Sequence, residues 1–320
     1  MSYNVLYWNP SATPELRRIV EQEMPAGWTL QVLDQDGPAG ELLPKCDFLV
    51  VADRALTAND LTAASRLRMI QHQGVGYERI DLEACRRNGV VLGLTPEGTT
   101  IGVAEHTILL ILALYKQLPK AAGGVREGKW MQWELRQNSY ELAGKTIGLA
   151  GFGRIGQAVA RRAAAFDAKV LYFDPASVEH PPEAGTRIPE FAELLSRSDI
   201  VSLHLPSTAA NRHLIGAREL ALMRPNAVLI NTSRGSHVNE AALYNALVMG
   251  RIAGAGLDVL ETEPMLAGNP LAALENVVIT PHISAGTVDA FRTKMRAVFA
   301  NLQRFANNEP PLNVVQELVR

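Results

Sequence analysis

Residues 145–150, Lys-Thr-Ile-Gly-Leu-Ala, are followed at once by Gly151-Phe152-Gly153-Arg154-Ile155-Gly156, and then by the helical pattern of residues 157–166. A strand feeding a helix through that glycine spacing leaves a chain few folds to choose from. Gly151 permits the tight turn, Gly153 lets a ligand approach the backbone, and Gly156 lets helix and strand pack closely. The first helical amides have no partner within the helix, and its dipole is positive there, so the turn suits a pyrophosphate. A glycine-rich turn alone is common, but here the next strand, 170–173, ends on Asp174, 18 residues beyond Gly156. An acidic residue there accepts hydrogen bonds from the adenosine ribose of a bound dinucleotide. Its carboxylate would repel a 2′-phosphate, and Pro175-Ala176-Ser177 offers no arginine to compensate, so the cofactor reads as NAD. As a turn residue or helix cap, Asp174 would need no ligand.

Strands alternate with helices on both sides of this unit, which implies parallel sheets covered by helices. The earlier array has strands near residues 5–8, 48–52, 68–72 and 90–92, with a helix over 13–24 capped by Thr13 and Pro14. The later array places six strands at 146–150, 170–173, 200–203, 227–230, 254–257 and 277–280, the number in a full dinucleotide-binding sheet. A long apolar helix is expected from 101 to 118, a connecting excursion over 123–142, and a tail helix over 287–308. The apolar run 108–114 is far shorter than the roughly 20 residues that span a bilayer, so a helix buried between domains or subunits is expected. With 320 residues, two domains are expected. The net charge of −2 predicts no general attraction to nucleic acid or anionic membrane. Two cysteines imply no disulfide framework, and the N-terminus carries no signal-peptide pattern, so the expected location is cytoplasmic.

Ionisable residues gather just past the later strands, the side on which open α/β sheets bind ligands. Arg234 lies within Asn231-Thr232-Ser233-Arg234-Gly235, Asp258 ends the 254–257 strand, Glu263 follows five residues on, and His282 lies in Thr280-Pro281-His282-Ile283-Ser284. These types suit hydride transfer at a 2-hydroxy acid. Arginine offers a permanently charged fork for the substrate carboxylate and carbonyl oxygen. Histidine can take the hydroxyl proton near neutral pH, and a carboxylate, here Glu263, would orient its ring. Asp258 would lie nearer the nicotinamide. Arg234 could instead cap a helix or form an ion pair, and His282 rests on the company it keeps. His106, on the apolar helix, and His204, at a strand end where the backbone could meet the cofactor, are weaker candidates. His72, His180, His213 and His237 read as structural or exposed.

Residues 74–81, Ala104-Glu105-His106, 151–156, 230–235, 254–264 and 280–284 together resemble the D-isomer-specific 2-hydroxyacid dehydrogenases. That group includes phosphoglycerate, D-lactate and glyoxylate/hydroxypyruvate reductases. The resemblance implies that Arg234, Glu263 and His282 are catalytic and that backbone N–H groups near Val75 and Gly76 hold the substrate carboxylate. It also implies cofactor contacts at Arg154, Ile155, Asp174, Thr232 and Asp258, with Ser233, Ser284 and Ala285 beside them. It implies a Rossmann dinucleotide domain (99–285) inserted into a flavodoxin-like substrate domain (1–98 and 286–320), both doubly wound parallel sheets. A homodimer through the 101–118 helix is expected. The chain stops after the tail helix, so the extra regulatory domain of longer phosphoglycerate dehydrogenases is expected to be absent. Glutamate at 263 argues against formate dehydrogenase activity, since those relatives place glutamine there. The segment Trp130 to Arg136 lies where members vary with substrate, and could equally pack on a partner subunit. A phosphite-type oxidoreductase and a non-catalytic NAD(H)-sensing corepressor are the alternatives.

Overall fold

Short apolar runs punctuated by turn residues open the chain as strands, and the computed structural model describes residues 2–33, 39–52, 54–176 and 184–318. Ser177 and His180 lie outside the described residues. The chain divides into one unit of residues Met1–Thr99 with Thr287–Arg320 and another of Thr100–Gly286.

The first unit begins with β1 (Asn4–Trp8), α1 (Pro14–Glu23), β2 (Thr29–Leu33), β3 (Phe48–Val51), α2 (Ala58–Ala63), β4 (Met69–His72), α3 (Leu82–Asn88) and β5 (Val91–Leu94). All strand pairs are parallel, in the order β2-β1-β3-β4-β5. That is the flavodoxin-like order, with its switch point between β1 and β3. Val5, Leu6, Tyr7 and Trp8 are completely buried, because apolar clusters cover both faces of the sheet. Thr13 Oγ1 accepts from Leu16 N–H and Pro14 takes the first helical position, so α1 starts where its cap residues dictate. The sequence reading passed over β2. It is an edge strand, half-buried, with Leu30 and Val32 alternating with polar residues, so its apolar signal is diluted.

The second unit opens with α4 (Thr99–Tyr115) and α5 (Leu118–Arg126), separated by Gln117 at φ +50°. The expected helix to residue 118 therefore ends early, and part of the expected excursion is helical. Among the described residues no single helix is long and apolar enough to cross a membrane; α4 and α5 reach that composition only together, across a 63° bend. The apolarity of α4 has a local cause. Ala104, Ile108, Leu110 and Ile111 pack in one cluster with Ile147, Leu149, Ile200 and Ile230, and each buried leucine or isoleucine contributes about 2 kcal/mol by leaving water.

There follow β6 (Thr146–Ala150), α6 (Arg154–Ala165), β7 (Lys169–Phe173), β8 (Thr186–Arg187), α7 (Phe191–Arg197), β9 (Ile200–Leu203), α8 (Ala217–Leu222), β10 (Val228–Asn231), α9 (Glu240–Val248), β11 (Gly254–Leu257) and β12 (Val277–Ile279). Their order, β12-β11-β10-β9-β6-β7-β8, is the Rossmann 3-2-1-4-5-6 arrangement with one further strand. Seven strands form where six were expected, because two-residue β8 is too short to leave a periodic pattern. The chain then returns to the first unit with α10 (Val288–Ala306), which packs on α1 and β4.

Candidate functional site

Three turns at the carboxyl ends of β10, β11 and β12 carry Arg234, Asp258 with Glu263, and His282, and each turn is fixed by its own polar contacts. After β10, buried Asn231 uses both ends of its amide. Its Nδ2 donates to Arg234 O at 2.9 Å, and its Oδ1 accepts from Ser233 N at 3.1 Å and Ser233 Oγ at 2.8 Å. Thr232 Oγ1 lies 3.0 Å from Thr107 Oγ1 of α4, and Arg234 donates from one guanidinium nitrogen to Ser233 O at 2.8 Å. The turn thus holds Arg234 partly buried, with most of its donor fork uncommitted to Ser233.

After β11, the Asp258 side chain is completely buried and its carboxylate organises the next turn. Oδ1 accepts from Thr280 Oγ1 at 2.6 Å and Ile283 N at 2.9 Å, and Oδ2 accepts from Ser284 N at 2.9 Å. The main-chain oxygen of Asp258 also accepts from His282 N at 2.8 Å. These contacts keep His282 at φ +51°, a left-handed conformation that costs a non-glycine residue about 1 kcal/mol and persists only where the surroundings over-determine it. His282 Nδ1 lies 2.7 Å from Glu263 Oε2, while Glu263 Oε1 accepts from Leu260 N at 2.9 Å. Half of the His282 side chain is exposed.

The Arg234 and Glu263 turns touch. Gly235 is buried with its α-carbon so close to the Leu260 carbonyl that no side chain would fit. Farther along, Glu261 N donates to Glu240 Oε1 at 2.6 Å, Glu240 N donates to Glu261 Oε2 at 3.3 Å, and His213 also pairs with Glu261. The loop that presents Glu263 is therefore braced against the start of α9.

The glycine turn fits the dinucleotide its spacing implies. Gly151 stands at φ +93°, and a side chain there would strike the His204 carbonyl at 2.6 Å. A Cβ on Gly156 would run into the Gly151 carbonyl, whereas one on Gly153 would meet nothing within 4 Å. Two glycines are thus required by the protein, and Gly153 leaves open space beside the uncapped first turn of α6. Arg154 is exposed there and Ile155 half-buried. Asp174 Oδ2 accepts from Phe152 N at 2.6 Å and Oδ1 from Ala176 N at 2.9 Å, so the carboxylate anchors the turn and retains further lone pairs for hydroxyls.

The other sequence candidates separate clearly. His204 is half-buried with its ring against Ser202 Oγ, and burial pushes its imidazole down to about 4, so it is neutral. Burial likewise lowers His237. His72 accepts from Gly74 N at 3.0 Å, which helps shape the turn carrying Val75 and Gly76 in the first unit; Thr95 N donates to Gly74 O at 2.9 Å in the same turn. Val75 is 46% exposed, and among the described residues no backbone carbonyl takes the Val75 or Gly76 amide. His106, a weaker candidate in the sequence, and Thr280, which had no assigned role there, meet at the Asp258 turn. His106 Nε2 lies 2.9 Å from Thr280 Oγ1 and 3.5 Å from Asp258 Oδ1. The available signal was Glu105-His106-Thr107 interrupting an otherwise apolar helix.

The model of the D-isomer specific 2-hydroxyacid dehydrogenase NAD binding domain matches residues 108–284. The glyoxylate reductase of Thermococcus litoralis is 41% identical over 294 residues, covering 88% of this chain and 87% of the relative. The D-3-phosphoglycerate dehydrogenase of Archaeoglobus fulgidus is 38% identical over 275 residues, covering 85% of this chain but 52% of the relative, so this chain spans about half its length. Among solved structures, an NADPH-dependent glyoxylate/hydroxypyruvate reductase from Sinorhizobium meliloti aligns with a TM-score of 0.85 at 29% identity, covering 99% of each chain.

Proposed function

Because the chain belongs to the D-isomer-specific 2-hydroxyacid dehydrogenase family, we propose that Arg234, Glu263 and His282 interconvert a small 2-oxo acid and its D-2-hydroxy acid. The observation that carries this reading is the His282 Nδ1–Glu263 Oε2 hydrogen bond of 2.7 Å beneath a left-handed backbone. With Nδ1–H given to the carboxylate, Nε2 is the nitrogen left for the substrate. It delivers a proton to the oxygen that becomes the hydroxyl, and in the reverse direction removes it. Glu263 accepts from Nδ1 and sets the plane of the ring. Arg234 clamps the substrate carboxylate and polarises the carbonyl oxygen with paired donors. In the first unit, the Val75 and Gly76 amides are the candidates for holding a substrate carboxylate. When bound, the nicotinamide supplies or accepts the hydride at the adjacent carbon.

Residues 1–98 with 286–320 act as the substrate domain and 99–285 as the dinucleotide domain. Arg154, Ile155 and the glycine turn hold the pyrophosphate, Asp174 the adenosine ribose, and Thr232, Ser233, Asp258, Ser284 and Ala285 line the nicotinamide end. The Asp174 carboxylate favours NAD over NADP by repelling a 2′-phosphate. A homodimer formed through α4, and a cytoplasmic setting in which buried Cys46 and Cys85 stay reduced, complete the reading.

The test is a spectrophotometric screen with glyoxylate, hydroxypyruvate, pyruvate and branched 2-oxo acids, with NADH and then NADPH. The protein is expected to oxidise NADH with at least one of them and to use NADPH less well. His282→Asn should lower kcat by about 10²- to 10⁴-fold while NADH still binds. Near-normal turnover in that variant would remove His282 from the reaction.

A further inference from the structure

Gly102 and His106 lie one turn apart on the same face of α4, and both meet the segment that carries His282. A Cβ at Gly102 would stand 2.8 Å from the Ser284 carbonyl oxygen, so helix backbone and turn backbone are in direct contact there. His106 Nε2 reaches Thr280 Oγ1 at 2.9 Å, from a side chain only 12% exposed. Proton counting sets the direction of this bond. The Thr280 hydroxyl has one hydrogen, and it points along a 2.6 Å contact to a carboxylate that can only accept. Thr280 must therefore accept from His106, which fixes the proton on Nε2. Thr107, the next residue of α4, reaches Thr232 in the turn that holds Arg234. One helix thus underlies both the Arg234 and the His282 turns.

We propose that His106 is a positioning residue for proton transfer at His282. Its Nε2–H holds the Thr280 hydroxyl on Asp258, and Asp258 in turn grips the amides of Ile283 and Ser284 that keep His282 in its left-handed conformation. The inference rests on His282 being the proton donor. Without the His106 N–H, the Thr280 hydroxyl can rotate away and the carboxylate loses a directed donor. The strained backbone at His282 then has less to oppose its relaxation. A displacement of about 1 Å at a reacting group costs up to roughly a hundredfold in rate, so a residue that touches neither substrate nor cofactor can act on kcat.

Three variants and a control test this in the full-length enzyme. His106→Leu keeps bulk and removes the donor, His106→Gln returns an N–H near the Nε2 position, and Thr280→Val removes the link. His106→Leu and Thr280→Val are each expected to lower kcat about ten- to a hundredfold, a larger change than any in NADH affinity by fluorescence. His106→Gln should recover most of the loss, and the Leu/Val double variant should be no worse than either single, since both cut one chain. A second readout needs no turnover. In histidine-labelled protein without cofactor, the His282 ring resonances and their titration midpoint should move in His106→Leu and Thr280→Val, and return toward the parent in His106→Gln.

Parent-like kcat in both His106→Leu and Thr280→Val, unmoved His282 resonances, or a glutamine variant as slow as the leucine one would each overturn the proposal. If His106→Leu fails to fold, Thr280→Val and His106→Gln decide alone. His282→Asn separates the two readings. If it keeps turnover, the proton-donor assignment falls and this inference with it. If it is inactive while His106→Leu and Thr280→Val behave as the parent, only the positioning role is lost.

Discussion

His204 is half-buried, its Nδ1 shielded without a hydrogen-bond partner among the described residues and its Nε2 2.9 Å from Ser202 Oγ. Burial lowers its pKa from 6.5 to about 4, with a sign that can be followed through to stability. The unfolded chain binds the proton first as pH falls, so stability is complete above about 6.5 and declines from there toward pH 4. The decline from this residue alone is roughly 3 kcal/mol at most. Thermal unfolding followed from pH 7 to pH 4.5 should show a lower midpoint at acid pH, and His204→Gln should have a flatter profile than the parent. Equal slopes would mean that another group sets the acid sensitivity. Single residues were legible from sequence in uneven ways. Glu263 and His282 were legible only together with Arg234 and Asp258, since a lone histidine after a strand is more often structural. The Leu260 amide that orients Glu263 left no trace, since a backbone donor has no residue type.

Secondary elements show the same division more sharply in the strand–turn–helix around Gly151, Gly153 and Gly156. The spacing of these glycines was plain in the sequence, but not what each one avoids. A Cβ at Gly156 would press on the Gly151 carbonyl, while one at Gly153 would enter open space. The same added methyl group should therefore act on two different properties. Gly156→Ala is expected to destabilise the protein by about 1–3 kcal/mol through overpacking, visible as a lower thermal midpoint without cofactor. Gly153→Ala should unfold where the parent does but bind NADH about tenfold or more weakly, because its methyl takes the space through which a pyrophosphate reaches the helix amides. Calorimetry for unfolding and fluorescence titration for binding separate the two effects. If Gly153→Ala bound NADH like the parent, the phosphate would have to lie elsewhere. Loop-to-loop contacts such as Gly235 on Leu260 stayed hidden from the sequence, since the 24 residues between them carry no pattern linking the two.

At the scale of the whole chain, strand–helix alternation conveyed parallel sheets, and the order of family blocks conveyed that one domain interrupts the other. Edge strands were missed because half-exposed β2 and two-residue β8 lack the continuous apolar runs that mark buried strands. The sequence pointed to an α4 buried between domains or subunits, whereas Ala104, Ile108, Leu110 and Ile111 lie in the core of the second unit itself. Part of its surface does not. Ile101, Leu109, Leu118, Val125, Trp130 and Trp133 are all substantially exposed along α4, α5 and the segment that follows, and Arg136 stacks 4.6 Å over Trp133 rather than covering the group. Exposed apolar residues are ordinary singly, but several on consecutive elements mark a surface that associates. A second copy is the expected partner, since cyclic pairs are the commonest assembly of soluble chains. Light scattering coupled to gel filtration should give twice the chain mass at micromolar concentration. Leu109→Glu combined with Trp133→Glu should shift the protein to the single-chain mass without unfolding the second unit, because both side chains lie outside its core. A parent protein that ran as a single chain across that concentration range, or a double variant that kept the parent's mass, would place the interface elsewhere or remove it.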